Sequence, residues 1–172
     1  VGDAVGKGVA ASLLMASVRA SLRAYAQDLY DMEEVLERVN AMMHRDTTDA
    51  EFATLWYGVL DPETRRLTYA NAGHEPALLL RRGTIIPLSE GGMIIGVLPD
   101  QTYDKGIIDL QPDDALLIFT DGLPDAMNHE GQRFGKARLT DAFRQAADMS
   151  PGDAINHILW EMRRFTGIRR AH

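Results

Sequence analysis

The sequence predicts an α+β domain whose strands form antiparallel sheets. Helical spacing of apolar residues marks the first quarter of the chain, short β-type segments separated by Gly, Pro and Asp fill the middle, and helical spacing returns at the end. This order is typical of a layered α+β domain, whereas a parallel sheet would alternate strands and helices. A length of 172 residues fits one domain.

Two helices are predicted ahead of the strands. The first spans residues 9–27, where apolar residues recur at helical intervals among many small ones. The second follows Asp31, a residue type that favours the N-cap, and it is expected to end within 44–47. Its apolar face is formed by Met32, Val35, Leu36 and Val39.

The middle of the chain is predicted to be β structure. Residues 52–60 and 67–73 alternate with period two around turn chemistry at 61–66, which predicts an antiparallel hairpin. Further strands are predicted at 77–80, 84–88, 105–110 and 115–119. Two helices are predicted to close the chain, at 135–147 and 151–165, the second of them after a Ser150-Pro151 start signal.

Composition and charge exclude several classes of function. Twenty-five acidic against 18 basic residues give a net charge of −7, the wrong sign for a general nucleic-acid binder. The chain has no cysteine, which excludes disulfides and thiolate zinc sites and suits a reducing cytoplasm. Apolar runs such as 115–119 are far shorter than the roughly 20 residues of a membrane helix, and the chain does not open on a signal-peptide pattern. We therefore expect a cytoplasmic protein with no membrane insertion and no nucleic-acid partner.

Asp3 is the first candidate ligand. It lies in the glycine-rich segment 2–8, which is predicted to be a flexible loop ahead of a helix. Free backbone N–H groups and close approach of the backbone at such a place favour a phosphate or a metal, although a helix-capping loop explains the same pattern. A nucleotide-binding P-loop does not, because the spacing of the glycines and the lysine differs from that motif.

Asp121 is the second candidate. It follows the apolar run 115–119 in the segment Thr120-Asp121-Gly122. A carboxylate at the end of a buried strand is a common ligand of a hard cation held by oxygen atoms. An ordinary turn at the end of a strand explains the pattern equally well.

The histidines are not spaced as zinc ligands. They are His44, His74, His129, His157 and His172. Of these, His74 stands in a Gly/Pro turn beside Glu75. It is interpreted as a turn residue hydrogen-bonded to the backbone, with a catalytic base as the alternative.

Five segments carry a resemblance when they are taken together. They are GDAVGKGVAASLLM at 2–15, FATL at 52–55, YANAGH at 69–74, GV at 96–97 and FTDGLPDA at 119–126. In this order and spacing the chain resembles the PPM (protein phosphatase type 2C-like) metal-dependent serine/threonine phosphatases, and most closely their SpoIIE-like bacterial branch.

The resemblance implies a four-layer α-β-β-α sandwich of two antiparallel sheets flanked by helix pairs. It also implies two Mn²⁺ or Mg²⁺ ions that activate a water for attack on phosphoserine or phosphothreonine. By position, Asp3 is similar to the carboxylate that bridges the ions, the main-chain carbonyl of Ala4 to the backbone metal ligand, and Asp121 to a ligand of the second ion. Asp3 and Asp121 are thus the expected catalytic residues.

The chain departs from the family at both ends. An acidic Gly-Gly-Asp motif is expected upstream of Gly2, and an Asp-Asp segment is expected where this chain ends at 165–172. We therefore expect residues 1–172 to be a single SpoIIE-like phosphatase domain truncated at both ends. Lys7 stands where the branch often has His, and Pro124-Asp125 stands where it usually has an acidic Glu after a small or apolar residue.

The expected function is a protein serine/threonine phosphatase that acts on a phosphorylated regulatory protein of the anti-sigma-factor-antagonist type. By analogy with the branch, a sensor or receiver domain would precede this one, and the helices within 9–46 would form a switch or homodimer surface. The alternative is a catalytically inactive phosphatase-like module that binds a partner. The missing motifs favour this alternative, and Asp3 and Asp121 oppose it.

Overall fold

The structure is a computed structural model that describes residues 1–28, 31–48 and 51–167. The chain divides into two compact units. The first unit comprises Val1–Pro76 and Leu88–Gln111, and the second comprises Ala77–Pro87 and the chain from Pro112 onward. The described elements are β1 Gly2–Ala4, α1 Val9–Asp28, α2 Met32–Asp46, β2 Ala53–Asp61, β3 Arg66–Ala72, β4 Ala77–Arg81, β5 Thr84–Leu88, β6 Gly91–Gly92, β7 Gly106–Asp109, β8 Ala115–Leu117, α3 Gly135–Gln145 and α4 Pro151–Thr166.

The sheet of the first unit has the strand order β1-β2-β3-β6, and β7 also pairs with β3. β2 and β3 form the antiparallel hairpin that the sequence predicts. The Asp61 carboxylate closes the turn, since it accepts hydrogen bonds from the Glu63 N–H at 2.9 Å and the Thr64 hydroxyl at 2.6 Å. The short β3–β6 pair is parallel, and the β1–β2, β2–β3 and β3–β7 pairs are antiparallel.

The core of the first unit lies between α1, α2 and one face of this sheet. Asp31 caps α2 as predicted, because its carboxylate accepts a hydrogen bond from the Glu33 N–H at 3.1 Å. In β2, Ala53 and Leu55 belong to the core cluster, so Thr54 between them lies on the opposite face. The buried cluster contains Leu14, Val18, Met32, Leu36, Val39, Met43, Ala53, Leu55, Ala70, Ala72, Ile95 and Tyr103.

The second unit contains the sheet β5-β4-β8 and the helices α3 and α4. The predicted start of α4 is confirmed, because the Ser150 hydroxyl accepts a hydrogen bond from the Asp153 N–H at 3.2 Å and Pro151 is the first helical residue. Gly167, with φ 77°, ends the helix. A separate buried cluster forms the core and contains Leu78, Leu80, Phe119, Phe134, Leu139, Ala142, Phe143 and Ile158.

Three segments differ from the sequence prediction. Residues 2–4, predicted to be part of a loop, form strand β1, and the pair Gly91–Gly92 forms β6. Both segments are too short to show a period of two and are defined by the strands beside them. β8 ends at Leu117 and not at residue 119, although Phe119 remains buried.

The predicted fold class is confirmed. Within the described residues each unit has one sheet and one pair of helices, as expected for an α+β fold with two antiparallel sheets. Over the same residues, none of the helices combines the length and apolarity needed to cross a membrane. That residues 1–172 form a single domain stays a prediction.

Candidate functional site

The Asp3 carboxylate and the Ala4 carbonyl lie at the open edge of the first unit's sheet. β1 is the last strand on its side, with Asp3 opposite Thr54 and Ala4 opposite Ala53. The Val5 N–H donates to the Phe52 carbonyl at 3.0 Å, so odd-numbered residues of this segment bond to β2. The backbone of Ala4 therefore faces away from β2, towards the side that carries no further strand in the described chain.

The side chain of Asp3 turns towards the same edge. Its Oδ1 accepts a hydrogen bond from the N–H of Ala4 at 2.9 Å. The residue is exposed, and no cation of the described residues forms an ion pair with it. One carboxylate and one carbonyl oxygen, neither neutralised by a nearby cation, are thus presented together at the edge of β1.

A buried polar group supports β1 from the face opposite the helices. Thr54 lies across from Asp3, so the two side chains share one face of the sheet. The Thr54 Oγ1 is hydrogen-bonded to Nδ1 of His74 at 2.8 Å. Asn71 holds His74 in turn, because its Oδ1 accepts from the His74 N–H at 2.7 Å and its Nδ2 donates to the His74 carbonyl at 2.9 Å.

The contacts of Thr54 and His74 differ from what the sequence predicts. His74 lies in a turn after β3, as predicted, but the predicted bond of the histidine to the backbone is wrong for its ring, which bonds to the side chain of Thr54 in β2. No pattern in the sequence indicates Thr54, because its position across from Asp3 follows only from the pairing of β1 with β2. His172 lies outside the described residues.

Asp121 lies in the second unit, after β8, in a turn that is closed locally. The Leu123 N–H donates to the Thr120 carbonyl at 3.2 Å, and the Asp125 N–H donates to the Asp121 carbonyl at 2.9 Å. The Asp125 carboxylate is paired with Arg133 at 2.9 Å, whereas Asp121 is exposed and has no ion-pair partner among the described residues. Of the two aspartates in this turn, Asp121 is therefore the available ligand.

The donor atoms fit a hard divalent cation in their chemistry. Mg²⁺ and Mn²⁺ prefer carboxylate, carbonyl and water oxygens, and Asp3, Ala4 and Asp121 supply the first two kinds. Their number is small: over the described residues, no group of three or more His, Asp or Glu side chains is arranged to hold a metal ion. Among the described residues, each unit offers one of the candidate carboxylates.

Comparison with known proteins agrees with this fold. The sequence model of the family described as stage II sporulation protein E (SpoIIE) matches residues 1–171. Phosphoserine phosphatase RsbU of Bacillus subtilis is 25% identical over 133 residues, which cover 76% of this chain and 40% of that protein. The chain spans between 30% and 40% of the length of the curated relatives it matches.

Two solved structures share the fold over nearly the whole chain. The structure of the RsbU and RsbW domains of Rv1364c from Mycobacterium tuberculosis superposes with a TM-score of 0.78 at 28% identity, over 96% of this chain and 46% of that one. The SiaA-PP2C domain of Pseudomonas aeruginosa superposes with a TM-score of 0.82 at 20% identity, over 98% of this chain and 68% of that one.

The fold is therefore that of the PP2C-type serine/threonine phosphatases, as the motif resemblance implied. Within that class, the chain belongs to the SpoIIE family.

Proposed function

We propose that this chain is a metal-dependent protein serine/threonine phosphatase that hydrolyses phosphoserine or phosphothreonine on a regulatory protein. The observation that carries the proposal is the pair of hard oxygen donors, the Asp3 carboxylate and the Ala4 carbonyl, at the open edge of β1 in a member of the SpoIIE family. Its relative RsbU is named a phosphoserine phosphatase, which supports this reaction over other phosphate chemistry.

In this proposal Asp3 would be the carboxylate ligand common to two Mn²⁺ or Mg²⁺ ions, the Ala4 carbonyl would be a backbone ligand of one ion, and Asp121 would be a ligand of the second. Such ions, when bound, lower the pKa of a coordinated water and neutralise the charge of the phosphate. The chain's own part is to hold the Asp3 carboxylate and the Ala4 carbonyl on one edge and to leave Asp121 without a competing cation.

The substrate in this proposal is a phosphorylated regulator of the anti-sigma-factor-antagonist type, in the bacterial cytoplasm. The relatives named RsbU and RsbP, both phosphoserine phosphatases, support this type of partner. We further propose that an upstream sensor or receiver domain controls the activity, and that the helices α1 and α2 form the switch or homodimer surface.

The first experiment measures hydrolysis of an aryl phosphate and of a phosphoserine peptide by the full chain, with and without Mn²⁺. We expect turnover that requires the metal. Replacing Asp3→Asn or Asp121→Asn should lower kcat/KM by about two orders of magnitude or more, because metal binding supplies several kcal/mol of charge stabilisation in the transition state. Asp125→Asn is the matched control, since Asp125 lies in the same turn but is already paired with Arg133.

Two results would contradict the proposal. If Mn²⁺ gives no turnover either in this chain or in a chain extended at both ends, and the chain binds a phosphorylated protein without hydrolysing it, the chain is an inactive phosphatase-like module. If Asp125→Asn impairs turnover as strongly as Asp121→Asn, the proposed ligand in this turn is wrong.

A further inference from the structure

The turn that carries His74 is held in one conformation. Gly73 has φ 66°, and a Cβ there would stand 2.3 Å from the Ile94 Cγ2, so no larger residue fits. Asn71 is 5% exposed and its side chain bonds to both the N–H and the carbonyl of His74. The imidazole, which belongs to a residue only 7% exposed, therefore extends from a backbone that cannot shift easily.

The His74 ring contacts the strand next to β1. Its Nδ1 and the Thr54 Oγ1 are 2.8 Å apart, a short hydrogen bond in a partly buried position. This bond fixes the rotamer of Thr54, whose hydroxyl also lies 3.5 Å from the main-chain carbonyl of Asp3. The path from His74 to the main chain of Asp3 thus contains only one side chain.

β1 is held by β2 beside it and by α1 on the helix face. It is a strand of three residues that pairs with β2 alone among the described residues. Ala4 packs against the first core cluster on the helix face. On the opposite face, Thr54 is the residue directly across from Asp3.

We propose that His74 is a positioning residue that acts through Thr54 to hold the Asp3 and Ala4 oxygens in the geometry that binds a divalent cation. The inference rests on the proposed function, since it assigns a role towards the same ions. His74 touches neither ion nor substrate in this proposal. It limits the movement of a short edge strand, and outer residues of this kind set the affinity of a metal site through its ligands.

The test compares pairs of substitutions that keep or remove one atom. The side-chain amide atoms of Asn are as many bonds from Cα as Nδ1 of histidine, so His74→Asn can keep the hydrogen bond to Thr54. The amide atoms of Gln are as many bonds from Cα as Nε2 of histidine, so His74→Gln cannot keep this bond. Thr54→Ser keeps the hydroxyl, and Thr54→Val removes it at nearly constant shape. His44→Gln is the control, because the His44 ring bonds to the Gly96 carbonyl at 3.2 Å, away from Thr54.

The main measurement is the Kd of Mn²⁺ for the full chain without substrate, from the electron paramagnetic resonance of free Mn²⁺. Thermal unfolding of the metal-free variants is recorded beside it, because a merely structural role would move only that reading. We expect His74→Gln and Thr54→Val to raise the Kd by about 10- to 100-fold. The Kd should stay near the wild-type value in His74→Asn, Thr54→Ser and His44→Gln. In His74→Gln and Thr54→Val, kcat should recover once Mn²⁺ is saturating.

A double substitution tests whether the two residues act as one group. The variant with both His74→Gln and Thr54→Val should bind Mn²⁺ as weakly as either single variant, since both remove the same support. Independent, additive losses would overturn the inference. So would a wild-type Kd in both single variants, provided that the wild type binds Mn²⁺ and turns over. A wild type that neither binds Mn²⁺ nor hydrolyses phosphate overturns the proposed function, and the inference with it.

Discussion

Asp3 and Asp121, the two candidate ligands, are held in different ways. Asp3 stands on a three-residue edge strand whose position depends on residues far along the chain: Thr54, and behind it His74. Asp121 stands in a turn whose hydrogen bonds, from Leu123 and Asp125, span a few residues only. The first unit therefore builds its ligand from distant contacts, and the second builds its ligand from local ones.

Because of this difference, we expect the two carboxylates to respond differently to substitutions elsewhere in the chain. A local turn keeps its shape as long as its own residues are unchanged, because its hydrogen bonds close within it. An edge strand paired on one side follows any displacement of the strand and the turn behind it. We therefore expect substitutions far in sequence from the ligand to weaken metal binding by Asp3 more than metal binding by Asp121.

The largest effect is expected from truncating a core leucine in each unit, which tests whether the two cores are equally well packed. Leu36 in the first unit and Leu139 in the second are both 0% exposed. Leu36→Ala and Leu139→Ala should each lower the free energy of unfolding by about 3 kcal/mol, the usual result of a cavity in a close-packed core. Urea unfolding measures both.

A loss below about 1 kcal/mol in one variant would show that the core of that unit is loosely packed. The difference between Asp3 and Asp121 would then reflect how well the core of each unit is packed, and not how each aspartate is held. Leu98→Ala is the control, because Leu98 is 46% exposed and its removal should leave stability nearly unchanged.

The glycine before Asp3 and the glycine after Asp121 give the sharpest contrast. A Cβ at Gly2 would stand 2.6 Å from the Thr54 carbonyl oxygen, a main-chain atom that cannot move aside. At Gly122 the nearest atom is the Thr120 Oγ1 at 3.7 Å, an ordinary contact. Gly2→Ala should therefore destabilise the chain by about 2 kcal/mol and weaken Mn²⁺ binding, whereas Gly122→Ala should be neutral within about 0.5 kcal/mol.

Calorimetric titration of Mn²⁺ and urea unfolding of the same two variants check this contrast. Equal losses of Mn²⁺ affinity at both glycines would remove the distinction between a distant and a local way of holding a ligand. A neutral Gly2→Ala would show that β1 can move away from β2 without harm to the site.

The sequence could predict most of the fold because its helices and longer strands carry a period. The hairpin of β2 and β3, the Asp31 cap and the Ser150 cap are all encoded within a few residues. Asp121 follows β8 as predicted, although the strand ends two residues earlier than predicted, at Leu117. The motif resemblance then identified the family, which the match over residues 1–171 confirmed.

The environment of Asp3 could not be predicted in this way. The sequence predicts a loop for segment 2–4, since three residues with Gly and Asp show no strand pattern. Its strand form arises from pairing with residues 53–55, which are distant in sequence. The roles of Thr54 and His74 follow from that pairing, so no local signal could have revealed them.

The smallest expected effect compares the two hairpin turns, one in each unit. Arg65, between β2 and β3, has φ 57°, and Arg82, between β4 and β5, has φ 50°. Both residues are in the left-handed region, which a side chain with a Cβ adopts at a cost of roughly 1–2 kcal/mol. Arg82 and Gly83 together form a two-residue turn in which both φ values are positive, the conformation that favours Asn followed by Gly.

Arg82→Asn should raise the free energy of unfolding by less than about 1 kcal/mol, because Asn adopts the left-handed region more readily than Arg. Arg65→Gly should also raise it by less than about 1 kcal/mol, because the relief of strain is partly offset by the greater freedom of glycine in the unfolded chain. Arg82→Gln is the matched control, since it removes the same charge and keeps the strained backbone. A gain in this control equal to that of Arg82→Asn would mean that charge is responsible. A gain in Arg82→Asn alone would show that the second unit's turn, like the turn of Asp121, is governed by its own residues.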